Sequence, residues 1–380
     1  MSRISRRKKK IHVLSIIGTR PEVIKMAPVI KELEKRGSRF DLTNVITGQH
    51  RELCRPYLKL FDINADIDLA IMQKGQTIDF IAARILQRLS GVLEKVRPDI
   101  MLVQGDTTSA FAAALTACHH KIKVGHVEAG LRTGNKHNPF PEEINRRLIG
   151  AVADLHFAPT ALAKTNLIRE GVAEKQISVT GNTVIDALKM VAQRNHHFHD
   201  RVLSRIPFDS RRILCVTTHR RESFGQPLRN TLQALKKIAR RFEDVEIVLP
   251  VHYNPNVRPH VYKLLGGIDR IHLIEPLPYE SFVHLLNRSF LILTDSGGVQ
   301  EEAPSLGKPV LVLRETTERP EGITAGTARL IGTDTDRIVA AVAELLENER
   351  AYQRMAQAIN PYGDGLAAAR IADILESHGI

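Results

Sequence analysis

The chain has 380 residues, too many for one ordinary hydrophobic core, and its 43% apolar content is that of a globular protein, so two domains are the default. Lys and Arg number 54 against 42 Asp and Glu, a formal net charge of +12. Basic residues are not interleaved with base-stacking aromatics and Trp is absent, which argues against nucleic acid and leaves a polyanionic small substrate. No apolar run reaches the ~20 residues of a membrane span.

The basic segment at residues 1–10 runs directly into a strand-like stretch at 11–17, without the apolar core and small-residue cleavage site of a secretory signal. It reads as a solvated tail ahead of a cytoplasmic fold. Helices are predicted over 21–36, 79–96, 107–118 and 145–153, with another running through Arg169. They alternate with strands over 11–17, 41–47, 100–104, 123–127 and 155–158. Such βαβ alternation predicts a parallel, doubly wound sheet. Residues 178–182 turn the chain over, and 196–212, of weak periodicity, suit a crossover. The pattern then restarts with strands over 213–217, 245–250, 271–274, 291–294 and 310–313 and helices over 228–241, 281–286 and 300–305. Helices over 336–347, 351–358 and 366–377 close the chain. The predicted class is α/β, two Rossmann-like doubly wound domains facing across a cleft. The expected division is a basic tail at 1–10, a first domain at 11–195, a second at 196–365 and a C-terminal helix at 366–380. Cys54, Cys118 and Cys215 are scattered and odd in number, as in a reducing compartment.

Ligands of open α/β sheets bind outside the carboxyl ends of the strands, and several motifs fall there. Gly18-Thr19-Arg20-Pro21-Glu22 joins the first strand to the first helix. Pro21 suits the first helical turn, and Arg20 and Lys25 add positive charge for an anion. Asp106, Glu128 and Glu142 each end a strand or turn. Each is explicable alone as a cap or helix-start acid, but three such carboxylates near one cleft suit acid–base chemistry. His219-Arg220-Arg221-Glu222 follows the first strand of the second half and suits a diphosphate. Asp295-Ser296-Gly297-Gly298 reads either as a helix-capping turn or as a backbone cradle for phosphate, with Glu302 one turn on to accept from ribose hydroxyls. His252 also ends a strand. His126 reads as structural. No His, Cys or acid set has metal-ligand spacing, so no metal site is expected.

Together these segments, with Gly181-Asn182-Thr183-Val184-Ile185-Asp186 and Glu318-Arg319-Pro320-Glu321, resemble the bacterial non-hydrolysing UDP-N-acetylglucosamine 2-epimerases from about Ile11 to the C-terminal helix. The resemblance implies a GT-B-like fold whose last helix crosses back onto the first domain. It also implies a homodimer, no required metal or redox cofactor, and interconversion of UDP-GlcNAc and UDP-ManNAc for surface polysaccharide. Asp106, Glu128 and Glu142 then form the acid–base and sugar-pocket group, with no assignment of which removes the proton. Arg20, Lys25 and His219 serve the diphosphate, Ser296, Gly297 and Gly298 the cradle, and Glu302 the ribose. Phe282 lies near uracil and Arg319 contacts UDP or the sugar. Gln49 and His252 are candidates for activation by a second substrate molecule, although Glu52 and Gly75 depart from the Gln and Arg of activated members. Leu277 replaces the Gln that some members place near uracil. A GT-B glycosyltransferase and an epimerase of a related UDP-sugar are the alternatives.

Overall fold

Thirteen short strands, all paired in parallel, form two separate sheets in the computed structural model, which describes residues 9–220 and 223–378. Residues 1–8 of the basic segment, Arg221 and Glu222 of the His-Arg-Arg-Glu motif, and residues 379–380 lie outside the described residues. The chain divides into two units, one of residues 1–187 and 363–380, the other of residues 188–362.

The strands of the first unit are β1 (Ile11–Ile17), β2 (Phe40–Ile46), β3 (Ile67–Asp68), β4 (Ile100–Gln104), β5 (Lys123–Val127), β6 (Leu155–Ala158) and β7 (Ile177–Val179). Between them run α1 (Arg20–Lys35), α2 (Arg51–Leu60), α3 (Ile78–Val96), α4 (Thr108–His119), α5 (Glu142–Val152) and α6 (Ala161–Arg169). The spatial order β3-β2-β1-β4-β5-β6-β7 reverses direction between β1 and β4. Loops leaving the carboxyl ends of those two strands diverge and open a crevice. Beneath it Leu14, Ile16, Met101 and Val103 pack on Ile85, Leu89 and Leu93 of α3 and on the alanines of α4. Each large side chain buried in this way contributes about 1.5–3 kcal/mol. Alanine at 110, 113, 114 and 117 lets α4 lie close against α3.

Helix α7 (Thr183–Ala192) begins in the first unit and ends in the second. The second unit holds β8 (Arg212–Thr217), β9 (Val245–Pro250), β10 (Ile271–Ile274), β11 (Leu291–Thr294), β12 (Val310–Val312) and β13 (Ala328–Leu330). Its helices are α8 (Gln226–Arg241), α9 (Arg258–Leu265), α10 (Tyr279–Arg288), α11 (Gly297–Glu302), α12 (Pro320–Thr324), α13 (Thr335–Glu347) and α14 (Glu349–Ala356). Here the order β10-β9-β8-β11-β12-β13 reverses between β8 and β11. Alternate residues of β8 face opposite layers, as the strand period requires. Leu214 and Val216 pack on Leu228, Leu232, Leu235 and Ile238 of α8, while Ile213 and Cys215 pack with Leu285 and Leu286 of α10.

The last helix, α15 (Ala367–Ser377), belongs to the first unit and packs on α1. Asp186 of α7 accepts a hydrogen bond from the Ala368 N–H at 2.9 Å, and Arg36 pairs with Asp373 at 2.6 Å. Among the described residues no helix is long and apolar enough to cross a membrane.

Three local differences from the sequence-based reading have simple causes. Helix α5 starts three residues early because Glu142 and Glu143 form its first turn, where the helix dipole favours acids. Helix α2 is absent from the sequence-based reading; it buries only Cys54 and carries Pro56, a residue unfavourable in a helix interior. Helix α7 was hidden behind the Gly181-Asn182 turn signal.

Gly130 follows β5 with φ +89°, and a Cβ there would stand 2.2 Å from the Ala163 carbonyl oxygen. Gly130→Ala should therefore destabilise the protein on the order of 3 kcal/mol, through a disfavoured φ and displacement of α6. Urea denaturation followed by circular dichroism measures it.

Candidate active site

The crevice of the first unit holds a cavity of about 420 Å³. Residues Thr19 to Glu22 and Lys25 line it from the β1–α1 turn, Gln104 to Thr107 from the β4–α4 turn, and Glu128 and Glu142 from beyond β5. His50 and Leu53 close one side. The structure thus gathers Asp106, Glu128, Glu142, Arg20 and Lys25 around one space.

Each carboxylate has a distinct setting. Glu128 sits in left-handed backbone with φ +66°, a conformation that costs a non-glycine residue about 1–2 kcal/mol. Its carboxylate accepts from Gln104 Nε2 at 2.6 Å and Asn182 Nδ2 at 3.0 Å, and pairs with Lys25. Asp106 pairs with Arg146 of α5. Burial raises its carboxyl above the usual range; Arg146 and Lys25 oppose that rise and the Glu128 charge adds to it. Glu142 occupies the first position of α5, and its Oε2 is buried with no hydrogen-bond partner among the described residues. Arg20 lies 5.8 Å from the Tyr57 ring centroid, stacked on α2.

His126 lies beneath this layer, fully buried, with Nε2 2.7 Å from the Gly105 carbonyl oxygen. Burial pushes its pKa down to about 3. The ring is therefore neutral and Nε2–H donates to Gly105, a structural role.

The second unit has its own cavity of about 220 Å³ at the matching place, lined by His219, His252, Leu277, Phe282 and Ser296 among others. The rings of His219 and His252 stack at 5.6 Å, so His252 shares a pocket with His219. Leu277 offers that pocket an apolar wall. At the Ser296-Gly297-Gly298 turn, a Cβ on Gly297 would meet the guanidinium groups of Arg220 at 3.6 Å and Arg319 at 3.7 Å. Two cations therefore stand beside the glycine pair of this turn, while Glu302 reaches back beside Gly298. Arg319 also pairs with Glu301. Gln49 lies in the first unit, where its Oε1 accepts from Ser109 Oγ at 2.6 Å. Among the described residues no group of three His, Cys, Asp or Glu side chains is disposed to hold a metal ion.

A family model described as UDP-N-acetylglucosamine 2-epimerase matches residues 31–376. The UDP-N-acetylglucosamine 2-epimerase of Salmonella typhimurium is 52% identical over 373 residues, 97% of this chain and 99% of that one. The Bacillus subtilis enzyme of the same name is 51% identical over 370 residues, 97% and 96% of the two chains. The crystal structure of UDP-GlcNAc 2-epimerase from Neisseria meningitidis, bound to UDP-GlcNAc, superimposes with a TM-score of 0.83 at 45% identity, covering 97% of this chain and all of that one. This chain belongs to the UDP-N-acetylglucosamine 2-epimerase family. As a member of that family it is an isomerase.

Three acids of this epimerase-family chain do work that sequence reasoning did not assign. Asp295 Oδ2 accepts from the backbone N–H groups of His219 at 2.8 Å and Arg220 at 2.9 Å, and from Ser223 Oγ at 3.1 Å. Burial alone would raise its carboxyl, but the His219 side chain and these N–H donors hold it below the usual range. Glu143, fully buried beside Glu142, accepts from the N–H groups of Thr133 at 3.0 Å and Gly134 at 3.2 Å and so fixes the loop ahead of α5. Glu22 accepts from Gly18 N, Thr19 Oγ1 and Thr107 Oγ1. One signal was available: each acid directly adjoins a strand end or a motif already singled out.

Burial pushes the Glu22 carboxyl up to about 7, against the hydrogen bonds from Thr19, Thr107 and Gly18, which lower it. The folded protein therefore holds a proton there that the unfolded chain releases near pH 4.5. This group adds stability as pH falls from 7 toward 4.5 and withdraws it as pH rises. Relative to Glu22→Gln, the wild-type chain should gain about 3 kcal/mol of unfolding free energy across that window. Urea titrations of both proteins at several pH values read the difference directly.

Proposed function

We propose that this epimerase interconverts UDP-GlcNAc and UDP-ManNAc by eliminating and re-adding UDP. The hydrogen on C2 of the sugar is not adjacent to a carbonyl, so its direct removal has no stabilised carbanion to form. Elimination avoids that carbanion: a base takes the C2 proton while the C1–O bond to UDP breaks, leaving 2-acetamidoglucal and UDP. In the return step the UDP oxygen attacks C1 and an acid delivers a proton to C2 on the opposite face, so C2 is inverted. No net oxidation occurs and no electron acceptor is consumed.

The observation that carries this reading is the gathering of Asp106, Glu128 and Glu142 with Lys25 and Arg20 around one cavity. A proton must be taken from one face and returned to the other, which calls for at least two positioned carboxyl groups. Glu128, held as an acceptor by Lys25, Gln104 and Asn182, suits the base, and Asp106, whose carboxyl burial favours the protonated form, suits the acid. Glu142 completes the sugar pocket. Arg20, Lys25 and Arg319 are the cations proposed to neutralise the departing diphosphate, with His219 as a further hydrogen-bonding side chain. The Ser296-Gly297-Gly298 backbone is proposed to cradle it, with Glu302 at the ribose and Phe282 at the uracil. The Neisseria relative with UDP-GlcNAc bound supports that substrate. The product, UDP-ManNAc, is a sugar donor suited to surface polysaccharide synthesis.

Incubation with UDP-GlcNAc in deuterated water should yield a mixture with UDP-ManNAc, with deuterium at C2 of the recovered sugars by proton NMR. Retention of C2 hydrogen during epimerisation would overturn the elimination route. Asp106→Asn, Glu128→Gln and Glu142→Gln should each lower turnover by ~10²-fold, with KM little changed. Wild-type turnover in any one of them removes that residue from the proposed set.

A further inference from the structure

We propose that Glu22 is a positioning residue for this reaction, its carboxylate tying the turn after β1 to the turn after β4 and so fixing Asp106 relative to Arg20 and Lys25. The inference rests on the reading of Asp106 as a proton-handling group.

The bland account of Glu22 is a capping box. Thr19 is the N-cap of α1 and Glu22 stands three residues on, the spacing at which a Glu or Gln reaches back to the helix start. One oxygen does this: Oε2 accepts from Gly18 N at 3.2 Å and Thr19 Oγ1 at 2.7 Å. The other oxygen does something a cap does not require. Oε1 accepts from Thr107 Oγ1 at 3.0 Å, across 85 residues of sequence.

Thr107 is the N-cap of α4 and the neighbour of Asp106. Its hydroxyl oxygen accepts from Ala110 N at 3.0 Å while its proton goes to Glu22, so it fixes the first turn of α4 and holds the bridge together. The turns have no room to slide past each other: a Cβ on Gly18 would stand 2.4 Å from Ser109 Oγ. Burying a carboxyl group where a neutral Gln would serve as a cap carries a desolvation cost, reflected in its raised pKa. That cost is explained if two acceptor oxygens are needed at once, which the carboxyl supplies in the ionised form it takes above about pH 7. In Gln one oxygen gives way to an NH₂ group, so one side of the bridge is lost.

The test compares Glu22→Gln, Thr107→Val, Thr107→Ser and the double variant Glu22→Gln/Thr107→Val in steady-state kinetics with UDP-GlcNAc at a pH well above 7, where Glu22 is ionised. Hydrogen exchange of the apo proteins over residues 105–112 is measured in parallel. Glu22→Gln and Thr107→Val should each lower kcat by ~10–10²-fold, with KM within ~3-fold of wild type, as expected when a reacting group is misplaced rather than removed. Thr107→Ser, which keeps the hydroxyl, should restore kcat to within ~2-fold of wild type, and the double variant should be no slower than the worse single variant, because both break one link. Amides at the start of α4 should exchange faster in both single variants and not in Thr107→Ser. Wild-type kcat in either single variant, multiplicative losses in the double, or unchanged exchange would overturn the positioning role. If the wild-type protein does not turn over UDP-GlcNAc, the proposed reaction fails, and the exchange data still decide whether the bridge exists.

Discussion

At a topological switch point two adjacent loops leave a sheet in opposite directions, and nothing in the backbone ladder holds them together. Both sheets of this protein meet that constraint with one buried carboxylate. In the first, Glu22 from the opening turn of α1, just after β1, reaches Thr107 in the loop after β4. In the second, Asp295 from the loop after β11 reaches the backbone of His219 and Arg220 after β8. A carboxylate suits this work because two oxygens together offer about four acceptor sites, whereas backbone at a loop start presents chiefly donors. Removing either acid would leave several buried donors unsatisfied at once, at about 1–3 kcal/mol each.

The same arrangement sorts the acids by function. Glu22, Glu143 and Asp295 bind donors of the loops and helix starts around them and shape the surroundings; to backbone N–H groups Glu22 adds the Thr19 and Thr107 hydroxyls, and Glu143 the Arg146 and Arg147 guanidinium groups. Asp106, Glu128 and Glu142 face the cavity, and their partners are chiefly side chains: Arg146 for Asp106, and Lys25, Gln104 and Asn182 for Glu128. The adjacent pair Glu142 and Glu143 shows the division within one helical turn: the second is fully buried and bound to a loop, while the first keeps a buried oxygen without a hydrogen-bond partner among the described residues.

Much of the fold was legible because parallel strands buried on both faces read as unbroken apolar runs. The strands β4, β5, β9, β10 and β11 have the bounds the sequence suggests. Helices α3, α8 and α13 are long and amphipathic and were equally plain, whereas α2 is short, with Pro56 in its interior and Cys54 its single buried side chain. The place of Asp106, Glu128 and Glu142 at strand and turn ends could be read from local pattern. Their partners could not: Lys25 lies 103 residues from Glu128, and Arg146 lies 40 from Asp106. The Glu22 and Asp295 bridges escaped for the same reason, since a hydrogen bond across 75 to 85 residues leaves no short-range trace.

The three cysteines differ sharply in their surroundings. Cys54 and Cys215 are buried, and burial pushes their thiols up to about 11 and about 12. Cys118 is exposed near the last turn of α4, some ~16 Å along the helix from Thr107. A maleimide fluorophore should therefore attach at one position without any engineered background, on the helix whose opposite end carries the acid-bearing turn. The native chain comes with a built-in attachment point for optical reporting on that turn.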